Sequence, residues 1–403
     1  MSFLNDMLDP RASAKVLVGA ILIGYCAIPL WFYYSTGIDD AFDQLAAISA
    51  LASVCIMLGF KANVGRRREN SRIIVPLETI ISIVWLPFII STLVIISTAA
   101  AIPLLSAIKG ASPELLAVQR EEFLKARHGI ASVLIYINAL FTGAIVPYTI
   151  ALMFVHRAKW RWFAAIGFLL YAISFVEKAF FFKLALPLIY LFVTGKVRSR
   201  VGPKSAMVVA LAVLLFVSAA AGVGSDYVED QGDFFSTNYA PHGVVGHLIW
   251  RSIAIPMITA ADAIRVFQDY FGGRAFYGAT SGLISHAFGL QRIEFERILF
   301  EQQYGQNETG TGSANSVFIT EAFINFGWLG VIGISLLVGM TLRWFASARD
   351  EAFRSIWPLY CVGLYTSGFI GLLFSNGFIL IFFVAHFIQI RPYKGTEVRH
   401  AQA

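Results

Sequence analysis

The chain reads as an all-α polytopic membrane protein with about ten to twelve transmembrane helices and one long polar loop on the extracytoplasmic side. Three observations predict this. Hydrophobic residues fill 57% of the 403 positions and charged residues only 14%, whereas a soluble domain carries about 25% charged residues, so the bilayer must supply part of the solvent. The apolar runs are long and continuous, not alternating. That pattern selects helices over a barrel as the way to satisfy backbone groups in lipid. Finally, the Lys and Arg residues behind the net charge of +6 sit in short segments between apolar runs. This is the positive-inside pattern, a sign of topology and not of a nucleic-acid partner.

The elements follow in order. A first span, about Lys15 to Gly37, has no signal-peptide cleavage pattern and ends at Asp39-Asp40. A second, about Ala41 to Phe60, runs into Lys61, Arg66, Arg67, Arg68 and Arg72, which marks the cytoplasm and puts the N-terminus there too. A third run starts near Ile73 and carries Pro76, Pro87 and Pro103, so it is kinked or broken. Ser112-Pro113-Glu114 then opens an amphipathic segment over about 112–128, suited to the membrane interface. A fourth span covers about Ile130 to Val155. Two short ones cover about Trp162 to Val176 and Ala179 to Thr194, and a seventh about Ala206 to Val223. Residues 1–223 thus form the first seven spans, and residues 224–313 form a loop domain with moderately apolar helical pieces such as Ile249 to Phe271, too polar to span and expected to cap the membrane surface. Residues 314–403 carry an eighth span, about Asn315 to Leu342, then spans nine and ten between Ile356 and Ile390 with a turn near Ser375-Asn376-Gly377, and a basic cytoplasmic tail. Every basic cluster obeys one parity, and no internal repeat of the transporter kind is visible.

Charges in or beside spans are costly and earn a functional hypothesis. Lys178 and Lys183, with Glu177, interrupt two short spans; the two ammonium groups could hold a phosphate, or could snorkel to the interface. Arg251 lies in the apolar stretch Trp250 to Pro256 and needs a partner, either Asp262 or Asp269 in a structural ion pair or a lipid-linked phosphate, which its planar fork fits. Arg265, Arg274, Arg292 and Arg297 are further loop arginines, while Arg120 and Arg127 lie on the interfacial segment. Glu321 and Asn325 are four apart on one helix face. A carboxylate there can act as a general base at the membrane surface. The same pair can equally serve helix packing beside Gly327 and Gly330. The histidines, His242 and His247 among them, show no metal-ligand spacing, and Cys26, Cys55 and Cys361 fall inside apolar runs. No nucleotide-cradling glycine loop occurs, so neither a metal nor a nucleotide cofactor is expected.

The stretch Asn315-Ser-Val-Phe-Ile-Thr-Glu-Ala-Phe-Ile-Asn-Phe-Gly-Trp-Leu-Gly330 resembles a signature of the Wzy-type O-antigen polymerases, where a small polar lead-in precedes an acidic residue, an aromatic, Asn-Phe-Gly and a further Gly. Lys183-Leu-Ala-Leu-Pro187 and the amphipathic Arg120 to Gly129 stretch are similar to other parts of that family, as is the layout of spans around one long loop. The Arg-x10-Gly loop signature of some members does not start from Arg251 or Arg265. The resemblance implies a GT-C-like, metal-independent inverting glycosyltransferase in the bacterial inner membrane. It would join undecaprenyl-pyrophosphate-linked oligosaccharides at the periplasmic face, with a chain-length regulator of the Wzz type as a further partner. Cations should surround the leaving pyrophosphate, and a carboxylate or imidazole should deprotonate the acceptor hydroxyl. On that reading Glu321, Arg251 and His242 are catalytic, while Arg120, Arg127, Lys178, Lys183, Arg265, Arg274 and Asn325 bind substrate. Two alternatives stand beside it: the related O-antigen ligase, and a transporter or flippase for lipid-linked glycans.

Overall fold

The computed structural model describes residues 6–36, 40–62, 72–120, 122–123, 127, 129–174, 178–197, 233–237, 239, 241, 243–305 and 312–391. The chain begins with helices α1 (Pro10–Ser35) and α2 (Asp40–Lys61), strand β1 (Ile73–Pro76) and helix α3 (Leu77–Ser97). Next come α4 (Pro103–Ile108), α5 (Pro113–Arg120), α6 (Val133–Val155), α7 (Arg161–Ser174) and α8 (Lys178–Val193). The loop region contributes α9 (Gly243–Asp269), α10 (Gly282–Phe288) and α11 (Phe295–Tyr304). The C-terminal part holds α12 (Phe318–Ser347), α13 (Glu351–Ser355), α14 (Trp357–Thr366), α15 (Phe369–Phe374), α16 (Phe378–Phe387) and strand β2 (Ile388–Arg391). Among the described residues five helices, α1, α2, α3, α6 and α12, are long and apolar enough to cross a membrane, with shorter apolar helices beside them. The chain is therefore a multi-pass helical membrane protein in character.

The core of the bundle is the pairing of α2 with α12. Small residues sit four apart on both, Cys55 and Gly59 on one and Ser335 and Gly339 on the other. A Cβ on Gly339 would collide with the backbone at Ile56 and Gly59, and one on Gly59 with the backbone at Leu336. With no hydrophobic drive between helices in lipid, such close backbone approach is what packing must use. One end of this pair is closed by aromatic stacking of Phe345 on Phe353, 4.4 Å between centroids.

That same end gathers four stretches which the charge pattern assigns to one side. Asp350 accepts from the Tyr148 hydroxyl at 2.7 Å and caps α13 through Ala352 N at 2.9 Å. Arg354 pairs with Glu351 at 2.9 Å and Asp9 at 3.6 Å, and Lys196 reaches Glu351 at 3.0 Å. The relative sidedness read from the basic clusters is thus reproduced at these residues.

Three expectations change. The region of spans nine and ten is divided into three short helices instead of two continuous ones. Helices α14 and α16 have 10 residues each, or about 15 Å at 1.5 Å per residue, half of a hydrocarbon core of about 30 Å. Ser367-Gly368 interrupts the first, and the expected turn at Ser375-Asn376-Gly377 separates α15 from α16. Second, the fold is not purely helical, because β1 pairs with β2 in parallel, Ile73 opposite Ile388. Third, the 30-residue α12 is not one rod, for Gly327 breaks it. The seventh span, 206–223, lies outside the described residues. The third run, expected to be kinked or broken, is broken before Pro103, which begins a new helix.

Helix α9 packs against α1, α2 and α12. The cluster of Trp250, Ala254, Met257 and Ile258 on it packs with Phe32 of α1 and Phe42 of α2, and near its end the Gln268 amide donates to Gln44 of α2 at 2.5 Å. Helix α9 is not among the helices apolar enough to cross.

Candidate functional site

The site forms where the loop region meets the start of α12. Gly327 has φ 63° and ψ −154°, a conformation open in practice to glycine alone. The break turns the 318–326 segment back so closely that a Cβ on Gly330 would collide with the Ala322 carbonyl. It also frees two carbonyls of the first segment. Ile324 O accepts from Phe276 N at 3.1 Å and Asn325 O from Tyr277 N at 2.8 Å. Asn325 completes the seam with its side chain. Its Oδ1 accepts from Gly278 N at 3.0 Å, and its Nδ2 donates to Thr280 Oγ1 at 2.8 Å and to Glu321 O at 2.9 Å. Asn325 is 3% exposed. Its amide is occupied by the protein, so the expected substrate contact is replaced by a structural one.

Glu321 lies one turn earlier. Its Oε2 accepts from Phe369 N at 2.7 Å, at the first residue of α15. The approach is tight enough that a Cβ on Gly368 would strike the carboxylate. Glu321 therefore satisfies an orphan donor of a broken helix. A second carboxylate, Glu296 on α11, lies within electrostatic reach of it. Glu296 accepts from Ser313 Oγ at 3.2 Å, and the Asn315 amide, oriented to donate, lies 3.2 and 3.3 Å from its two oxygens. Its backbone carbonyl accepts from Ala314 N at 3.0 Å, which straps 313–315 over α11. Desolvation by its neighbours pushes the Glu296 carboxyl above the usual carboxylate value, while the Ser313 hydrogen bond and the Arg292 guanidinium pull it down. The residue as a whole remains exposed. A carboxylate of this kind can accept a proton from a bound hydroxyl, with the guanidinium beside it for an anion.

Most of the other expected residues do not join this cluster. Arg265 pairs with Asp262, which also accepts from Gln303 Nε2 at 2.8 Å. The ion pair considered for Arg251 is thus made by Arg265 instead, being three positions from Asp262 on one helix face. Arg251 and Arg274 are both exposed. Arg127 is tied to the end of α3, donating to Ile95 O at 2.9 Å and Thr98 Oγ1 at 2.6 Å, the position a helix C-terminus offers a cation. Arg120 donates to Leu116 O of its own helix at 3.2 Å. Lys183 is half-buried on α8, whose main neighbours are α6, α7, α13 and α14 and not the elements bearing Glu296 and Glu321. Lys178 begins α8, but its side chain, like His242, lies outside the described residues. Among the described residues no group of three or more His, Cys, Asp or Glu is placed to hold a metal ion.

Sequence reasoning missed Glu296 as a member of the site and left Arg292 undistinguished among the loop arginines. They lie 25 and 29 positions before Glu321 in a stretch dense with charges, and only folding of the strap selects them. Comparison with protein-family models, curated proteins and solved structures finds no match.

Proposed function

We propose that the chain joins undecaprenyl-pyrophosphate-linked oligosaccharide repeat units into a bacterial surface polysaccharide at the periplasmic face of the inner membrane, by metal-independent inverting glycosyl transfer. The observation that carries this reading is the Glu296–Glu321 pair beside Arg292, at the junction of the outer loop with α12. In the reaction the acceptor sugar's hydroxyl oxygen attacks the anomeric carbon of the donor glycan. The bond from that carbon to the pyrophosphate oxygen breaks, and the pyrophosphate leaves with the electron pair. The hydroxyl proton passes to a carboxylate.

Glu296 suits that last role better than Glu321, because its surface is open while Glu321 Oε2 is taken by Phe369 N. Glu321 holds the broken helix α15 against the site and acts as a positioning residue. On this reading Arg292, whose charge acts on Glu296, is the cation offered to the pyrophosphate. The Asn315 to Gly330 stretch supports the assignment through its resemblance to the polymerase signature, and Asn325 and Gly327 of that stretch here build the seam that the site rests on.

Deleting the gene in its host tests this. The surface glycan ladder is expected to collapse to a single repeat, to return with the wild-type gene and not with Glu296→Gln. Loss of all attached glycan while free polymer is still made would instead identify a ligase.

A further inference from the structure

Beyond the candidate site, the geometry points to the 277–290 hairpin as a foot that inserts into one leaflet of the bilayer. The inference does not depend on the glycosyl-transfer reading. It starts from depth. Beyond the break at Gly327, residues 328–347 rise about 30 Å at about 1.5 Å per residue, the thickness of a hydrocarbon core. Gly327 therefore sits at one membrane boundary. The hairpin is fastened at that level, through Phe276 N to Ile324 O and Tyr277 N to Asn325 O.

Its exposed residues do not suit water. Tyr277 is 71% exposed and Phe288 76%, with Leu283 and Leu290 open beside them. At the start of the span Trp328 is also exposed, and Leu329 is 80% exposed, continuing the apolar surface into the lipid-facing side. Tyr277 is held at φ 53°, a costly backbone conformation for a tyrosine, which the seam to Asn325 maintains. Arg274 and His286 are exposed on the same stretch and match anionic phosphate headgroups. An apolar patch with aromatics at the boundary and cations around it is what an interfacial element presents to a leaflet. Phospholipid is the occupant that fits, because the patch continues the surface of a span.

The test is spin labelling of Leu283→Cys and Phe288→Cys in proteoliposomes of phosphatidylethanolamine and phosphatidylglycerol. Gln302→Cys on α11, an exposed position, serves as the aqueous control. The unsubstituted chain, labelled in parallel, corrects for Cys26, Cys55 and Cys361. Labels at 283 and 288 are expected to relax several-fold more with oxygen relative to a nickel chelate than the label at 302. Equal ratios at all three positions would show that the patch faces water and overturn the proposal. Labels at 283 and 288 shielded from both relaxants, with spin–spin broadening, would show a second copy covering the patch and would overturn it as well.

Discussion

Asn325 shows how much a single amide can hold. It satisfies Gly278 N, Thr280 Oγ1 and the Glu321 carbonyl from a buried position. Asn325→Ala leaves those partners unpaired, and with a cost of about 1–3 kcal/mol for each buried group so stranded, we expect about 2–4 kcal/mol of lost stability. A lower unfolding midpoint in detergent and new protease sensitivity at 276–281 would report it. The Glu296 carboxyl carries a pH signature. Because its pKa is raised, an activity that needs the ionised form fails on acidification sooner than with an ordinary carboxylate near 4.5. Arg292 opposes that rise, so Arg292→Gln should move the acid limb of the pH–rate profile to still higher pH. An unmoved limb would show that Glu296 does not titrate in the rate-limiting step. At this scale the sequence showed that Glu321 and Asn325 share a helix face, but not their partners, which lie 48 and 45–47 positions away.

At the scale of elements, the break at Gly327 and the crossing at Gly339 decide the architecture. Gly327→Ala forces a side chain into a backbone conformation near-exclusive to glycine, at a cost of about 1–3 kcal/mol, and should uncouple the hairpin from α12, seen as faster hydrogen exchange at Phe276 and Tyr277. Gly339→Leu should separate α2 from α12 and lower the yield of folded protein. Arg127 offers the opposite contrast. Its fork stitches α3 to the interfacial segment, so Arg127→Ala should cost about 1–3 kcal/mol of stability and leave the affinity for a lipid-linked substrate unchanged. A raised KM with unchanged stability would return Arg127 to the substrate. Hydropathy made the long spans legible because continuous apolar runs of that length have few other uses. The short helices α14, α15 and α16 were not legible as such, since Ser367-Gly368 and the 375–377 turn interrupt a run that stays apolar throughout.

Across the whole molecule the polar residues separate to two ends. Asp9, Tyr148, Lys196, Asp350 and Arg354 meet at one, and Glu296, Glu321 and Asn325 at the other. The basic clusters foretold this division because each lies at the end of an apolar run. They could not foretell the cluster of Glu296, Arg292 and Glu321, which depends on the strap and on the kink. An impermeant maleimide applied to sealed right-side-out vesicles should label a cysteine at Gln302 and not one at Lys196; labelling of both from one side would collapse the two-ended topology. The central claim, that the Glu296–Glu321 site transfers glycans between lipid pyrophosphates, is tested most directly by reconstituting the purified chain with a synthetic undecaprenyl-pyrophosphate repeat unit and following product length. The wild-type chain is expected to give a ladder of lipid-linked polymer without added nucleotide, and Glu296→Gln in the same folded state to give none. An unchanged ladder from Glu296→Gln, or no elongation by the folded wild-type chain, would contradict the account.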